Sequence, residues 1–317
     1  MKFADRIQKV DRRIIYGILA LAVILPLVFR LGLKTYTTTP VEDLYRHIDA
    51  AAGKDDMAII MDFTHDPGVL PELYPMDLAI LRHCFQRNIK VFTISFLPQG
   101  AAIIQLALSE VKEDYPNIEA NVDYCNFGFK PWSLKLPIML GMGDDIAEAV
   151  ETNSEGLKLE NLPIMQNMKN YDNIQVVVEI SGSSMGQFWV TYARAKFGVD
   201  VAVGLTAVMA ADVYPFLQTG QFVGSLGGLK GAAEYEQLVD IFAMNNTEFS
   251  KKNARNMAWV EAQYKELPEL AKLYKYNKAR IGMDAQAIVH VLIILFIILG
   301  NIGYFLDQRA QKKKFVK

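Results

Sequence analysis

Two stretches of the chain, one near each end, leave few choices for what it can fold into. Ile14 to Leu33 reads IIYGILALAVILPLVFRLGL, with Arg30 its single charge, and Ala287 to Leu306 reads AIVHVLIILFIILGNIGYFL with no formal charge. A hydrocarbon core about 30 Å thick is crossed by about 20 helical residues, so each stretch is long enough to span. Pro26 can kink the first helix, which a bilayer tolerates. No small-x-small cleavage site follows the first run and Arg30 interrupts it, so an uncleaved anchor is expected rather than a signal peptide.

The flanks set an orientation. Lys2, Arg6, Lys9, Arg12 and Arg13 precede the first stretch, and Arg309, Lys312, Lys313, Lys314 and Lys317 follow the second. The positive-inside rule then puts tails 1–13 and 307–317 in the cytoplasm and residues 34–286 across a plasma (inner) membrane. The formal net charge is −2, and with both tails basic the part between them is the acidic part. Such a domain has no global attraction to nucleic acid or anionic lipid. Gly300, Asn301 and Gly303 are the small and polar members expected to mark helix–helix packing in the second span. His290 lies about one turn inside it and is read the same way.

Between the spans the pattern alternates strand, turn and helix. Thr39-Pro40-Val41-Glu42 reads as a capping box opening a membrane-proximal helix over about 41–52. MAIIMDFT (57–64), IKVFTISF (89–96), NVDYCNFGF (121–129), IQVVVEI (174–180) and VDVAVGLTAVM (199–209) read as strands, with helical runs between them and a strand, glycine turn and helix after Tyr214. Nearly continuous apolar strands alternating with helices predict an α/β fold, a Rossmann-like open and mainly parallel sheet over 34–246. Residues 130–171 are less regular. Residues 247–286 form a polar, Lys-rich, helix-compatible segment that includes Trp259, Tyr264 and Tyr274, followed by the second span over 287–306. Cys84 and Cys125 leave open either a disulfide or two buried thiols. His83, mid-helix, is expected to face solvent or a neighbouring loop.

Gly182-Ser183-Ser184-Met185-Gly186 has the Gly-x-Ser-x-Gly pattern between a strand and a helix, the setting of a nucleophile elbow. A nucleophilic Ser184 needs a base and a group to orient that base. His65, just after the first strand, is the candidate base, with Asp62 or Asp66 to orient it. Serine and glycine are also common where a strand turns into a helix, and either serine is a good N-cap. Ligands of open α/β sheets gather at the carboxyl ends of the strands. His65, Gln99, Ser183, Ser184 and Thr206 are therefore the candidate contacts for a small polar ligand, with Asp66, Lys130 and Trp132 near the same edge.

Other chemistries lack their residues. There is no Walker motif, and no Cys/His cluster with zinc spacing, so neither cofactor nor metal is expected. Gly224–Glu236 has the glycines and the Lys230 of a phosphate cradle but comes late in the domain. Asp144 and Asp145 read as acids at a helix start. The function expected first is a non-catalytic docking or structural subunit of a membrane assembly for transport, secretion or envelope organisation. Its partners would be the lipid bilayer with other subunits or further copies of itself. A receptor lobe for a small polar ligand is the second reading, and a membrane-anchored serine hydrolase the third.

Overall fold

The computed structural model describes residues 11–29, 31, 33, 35–183, 186–245 and 278–315. They fall into two units, 1–34 with 281–317, and 35–280. The first helix, α1 (Arg12–Phe29), has 18 residues with Pro26 inside it. At 1.5 Å per residue it is about 27 Å long. Leu31 and Leu33 are not helical, so this helix is shorter than the apolar stretch.

The larger unit opens with α2 (Thr39–Asp49), whose N-cap is Thr38, one residue earlier than the capping box implies. The Thr38 hydroxyl donates to Glu234 at 2.7 Å, and Glu42 accepts from the Thr37 hydroxyl at 2.6 Å. Glu42 is thus engaged with the residue before the N-cap, and the N-cap hydroxyl with α9. Then follow β1 (Ala58–Asp62), α3 (Leu70–Gln86), β2 (Lys90–Ser95), α4 (Pro98–Asp114) and β3 (Tyr124–Phe129). Short helices α5 (Lys135–Gly141) and α6 (Ile146–Val150), joined by 3-10 turns, lead to β4 (Ile174–Ser181). Helix α7 (Gly186–Trp189) runs through a π-helical turn (Val190–Arg194) into a last turn, Ala195–Phe197. The unit closes with β5 (Val201–Leu205), α8 (Tyr214–Gln218), β6 (Ser225–Gly227) and α9 (Gly228–Asn245).

The six strands form one all-parallel sheet in the order β3-β2-β1-β4-β5-β6. The five residues of β1 and the five of β5 are all buried, as continuous apolar strands covered on both faces should be. One face carries α3, packed against α9 and α4, with α2 beside α9. On the other, Ile60, Phe92, Phe127 and Val177 meet Met139, Ile146 and Trp189 in a continuous core. The irregular 130–171 region therefore fills one side of the sheet instead of forming one long crossover helix. β3 is an edge strand, and the amide of Ser154 donates to the Asn126 carbonyl at 2.8 Å, covering that edge.

Two glycines permit close approaches. A Cβ on Gly186 would lie 2.4 Å from a methyl of Val203, and Gly228 has φ +58° at the start of α9. Cys84 and Cys125 are both buried and free, so the disulfide alternative is not realised. His83 is also buried, contrary to the expectation of a solvent-facing ring. It stacks on Tyr45 with centroids 4.1 Å apart, because α3 is enclosed along most of its length.

The last helix, α10 (Lys278–Phe315), is a single run of 38 residues that begins well before the apolar stretch. Among the described residues, α1 and residues 278–306 of α10 are the two helices long and apolar enough to cross a membrane. Within the smaller unit the Leu33 amide donates to Asp284 at 3.0 Å. Asn301 donates its side-chain N–H to the Ile297 carbonyl of its own helix at 2.8 Å, and a Cβ on Gly300 would meet nothing within 4 Å. Gly303 lies one turn beyond Gly300 on the same helix. The basic tail residues up to 10, Arg30 and residues 246–277 lie outside the described residues.

Candidate functional site

β1, β2 and β3 step outward in one direction and β4, β5 and β6 in the other, so the strand order reverses between β1 and β4. Crevices at such reversals, beyond the carboxyl ends of the strands, are where open α/β sheets bind ligands. Alternate residues of a strand share a face. Asp62 therefore follows Ala58 and Ile60, and Glu179 follows Val177, onto the side occupied by α5 and α7. The register pairs Asp62 with Glu179 directly. Both carboxyl groups are fully buried.

Asp62 is satisfied from three directions. It accepts from the Thr64 hydroxyl, and its Oδ2 accepts the Trp189 indole N–H at 2.9 Å. The ammonium of Lys135 on α5, itself 2% exposed, lies 3.6 Å from Asp62 Oδ2 and 3.9 Å from Glu179 Oε1. That ammonium also sits over the rings of Phe96, Trp132 and Phe188, at 4.8, 5.0 and 5.7 Å from their centroids. Such contacts favour a cation held away from water. Lys135 Nζ and both oxygens of Glu179 have no hydrogen-bond partner among the described residues. Burial, reinforced by the Asp62 charge and only partly countered by Lys135, pushes the Glu179 carboxyl well above its ordinary range. Burial thus favours the neutral form of the Glu179 carboxyl beside the Lys135–Asp62 pair.

His65 lies on the other side of the sheet ends. Its side chain is fully buried, and its Nε2 is 3.0 Å from Oδ2 of Asp77, a residue of α3. Burial pulls the imidazole down, but Asp77 outweighs it and His65 is raised above its ordinary value. The acid oriented against His65 is therefore Asp77, while Asp62 belongs to the Lys135 cluster. Asp66 is exposed and accepts the Gly68 amide at 2.7 Å as the cap of a 3-10 turn.

The remaining sequence candidates divide by position. Ser183 is half-buried, with its amide donating to the Ser181 hydroxyl at 3.1 Å and the two hydroxyl oxygens 2.9 Å apart. Ser184 lies outside the described residues. Thr206 follows β5, and its carbonyl accepts the amides of Met209 and Ala210. Gln99 is exposed in the first turn of α4. Beside Ser183, Gly186 and Phe222 is a cavity of about 20 Å³, room for a single water. Lys130 donates to the carbonyls of Val150 and Thr152 at 3.0 and 2.9 Å, bracing the irregular region. Asp145 caps α6 through the amides of Ala147 and Glu148.

Sequence reasoning passed over Glu179, Lys135, Trp189 and Asp77. Glu179 carried a signal, a lone charge inside the apolar run VVVEI. Lys135 carried none, because it sits in the irregular region. Comparison with known proteins supplies no further assignment: no family model, no curated protein and no solved structure matches the chain.

Proposed function

We propose that this is a non-catalytic two-pass membrane protein whose Rossmann-like domain is a docking subunit of a membrane assembly, with both tails cytoplasmic and the domain across the membrane. Support for the docking surface comes from large apolar side chains left in solvent next to the Lys135 cluster. Trp132, Leu134, Leu136 and Phe188 are 44%, 45%, 39% and 38% exposed. Trp132 and Phe188 meet edge to face with centroids 5.8 Å apart. Aromatic anchors over a closed, rigid base are typical of the centre of a protein–protein interface.

The expected partner is another membrane subunit or a second copy of this chain. A photoreactive amino acid placed at Leu134 in living cells should crosslink to one such protein, and Trp132→Ala should abolish the crosslink while the domain stays folded. A protein that is monomeric in mild detergent and gives no crosslink there would defeat the reading. A reporter fused at Val150 tests the topology, since a cytosolic signal contradicts it.

A polar ligand received at the strand-order reversal is the second reading. It is favoured by the buried Lys135 and Glu179 atoms without partners. A rise in melting temperature on adding a small polar compound is its test. The hydrolase reading depends on Ser184, and labelling by a fluorophosphonate probe decides it.

A further inference from the structure

A second polar site lies in the cleft between α4, β3 and the segment that covers the edge of β3. The cleft has a volume of about 310 Å³ and is lined by Lys112, Asn121, Tyr124, Asn126, Asn153 and Glu155 among others. That volume is at the lower end of those that hold small molecules.

Its floor is a fixed chain of amides. Asn153, 6% exposed, accepts the backbone amides of Glu155 and Leu157 on Oδ1, at 3.0 and 2.9 Å. Those two donors settle which end of its side chain is oxygen. Its Nδ2 then donates to Oδ1 of Asn121 at 3.1 Å. Asn126 Oδ1 accepts the Gly128 amide at 2.8 Å and the Thr93 hydroxyl at 3.3 Å. Both half-buried asparagines therefore have their oxygens engaged within the fold, and what each offers a ligand is its NH₂ group. Asn121 is held at φ +63°, a conformation that asparagine tolerates better than most residues. The chain has fixed these donors before any ligand arrives, which lowers the ordering cost of binding.

Around that floor stand Lys112 as a further donor, Glu155 as an acceptor and the half-buried ring and hydroxyl of Tyr124. Paired amide donors, one acid, one base and an aromatic edge in a rigid cleft match vicinal hydroxyls on a small ring. From this arrangement we infer that the cleft binds a saccharide, of monosaccharide size, through its hydroxyl oxygens. The site is independent of the docking reading, because it shares no residue with Trp132, Leu134, Leu136 or Phe188.

The test uses the full chain in nanodiscs, avoiding detergents with sugar headgroups, and a panel of glucose, galactose, N-acetylglucosamine and glucuronate read by saturation-transfer NMR and calorimetry. Asn121→Asp and Asn126→Asp each keep the accepting oxygen and replace the donating NH₂ by a carboxylate oxygen. At least one sugar should bind with a dissociation constant near or below about 1 mM. Each variant should weaken that binding at least about tenfold with an unchanged melting temperature. Absence of binding by all four sugars, or binding indifferent to both variants, overturns the inference.

Discussion

The indole N–H of Trp189 reaches Oδ2 of Asp62 at 2.9 Å, linking α7, which follows β4, to the end of β1 across the strand-order reversal. Trp189 ends α7 at the point where the helix loosens into a π turn, a local irregularity often found at functional positions. With Lys135 of α5 at 3.6 Å, the carboxylate is held by two helices packed on the same face of the sheet. This makes the cluster a clamp between α5 and α7.

Removing the cation should therefore cost far more than removing the acid. Lys135→Met leaves Asp62 buried without its counter-charge, and breaking a buried pair in this way costs about 3–5 kcal/mol. Glu179→Gln exchanges a protonated acid for a neutral group of the same shape and should change stability by less than about 1 kcal/mol. Urea denaturation of the two variants in nanodiscs checks the contrast. Equal losses would mean that Glu179 is ionised in the folded protein.

Stability should fall as pH rises from about 6.5 to about 8. Glu236 is 2% exposed and burial raises its carboxyl to about 8, although the backbone amides of Ala279 and Arg280 donate to it at 3.0 Å and oppose the rise. A group whose folded pKa exceeds its unfolded one binds its proton more tightly when folded. Its stabilisation is complete below the unfolded value and disappears as pH climbs through the folded value. His65, raised by Asp77 against the pull of burial, acts in the same direction. Below about pH 6.5, His83 works the other way, because burial lowers it and the unfolded chain takes up the proton first. Urea midpoints across this range should show the decline, and Glu236→Gln should flatten it.

The sheet was legible because AIIMD, KVFTIS and VAVGL are apolar runs of strand length bounded by turns, and the strand-then-helix order of β6 and α9 was legible from the pattern after Tyr214, although β6 itself falls within the glycine stretch read as a turn. What escaped depended on tertiary pairing. Only the register of β1 on β4 brings Asp62 beside Glu179, and no spacing along the chain encodes it. His83 was misread because α3 is buried nearly all round, so helical periodicity gives no solvent face to count from. The capping box slipped by one residue, and the N-cap Thr38 hydroxyl is spent on Glu234 of α9 instead of on its own helix.

The Gly-x-Ser-x-Gly stretch divides into two glycines with different duties. A Cβ at Gly186 would stand 2.4 Å from a Val203 methyl, whereas one at Gly182 would stand 3.2 Å from a Val69 methyl. Gly186→Ala must push α7 off β5 and should cost about 1–3 kcal/mol. Gly182→Ala asks only a small adjustment of Val69 and should cost clearly less. Thermal melts rank the two, and the reverse order would remove the packing account of this motif.

The His83 ring has Nδ1 2.7 Å from the Tyr235 hydroxyl and Nε2 3.3 Å from Asp49, and Arg87 donates to the same carboxylate at 2.6 Å. Burial works against the Asp49 charge, but the hydrogen bonds from His83 and Arg87 prevail and keep its carboxyl below the usual range. With Asp49 ionised, Nε2 carries the proton and Nδ1 must accept from Tyr235. Tyr235→Phe strips a buried acceptor of its donor and should cost about 1–3 kcal/mol. His83→Ala also opens a cavity against Tyr45 and should cost about 3–5 kcal/mol. Since both changes break one hydrogen bond, the double variant should lose less than the sum of the two. Strict additivity in denaturant melts would mean that α3 and α9 are held together by apolar contact alone.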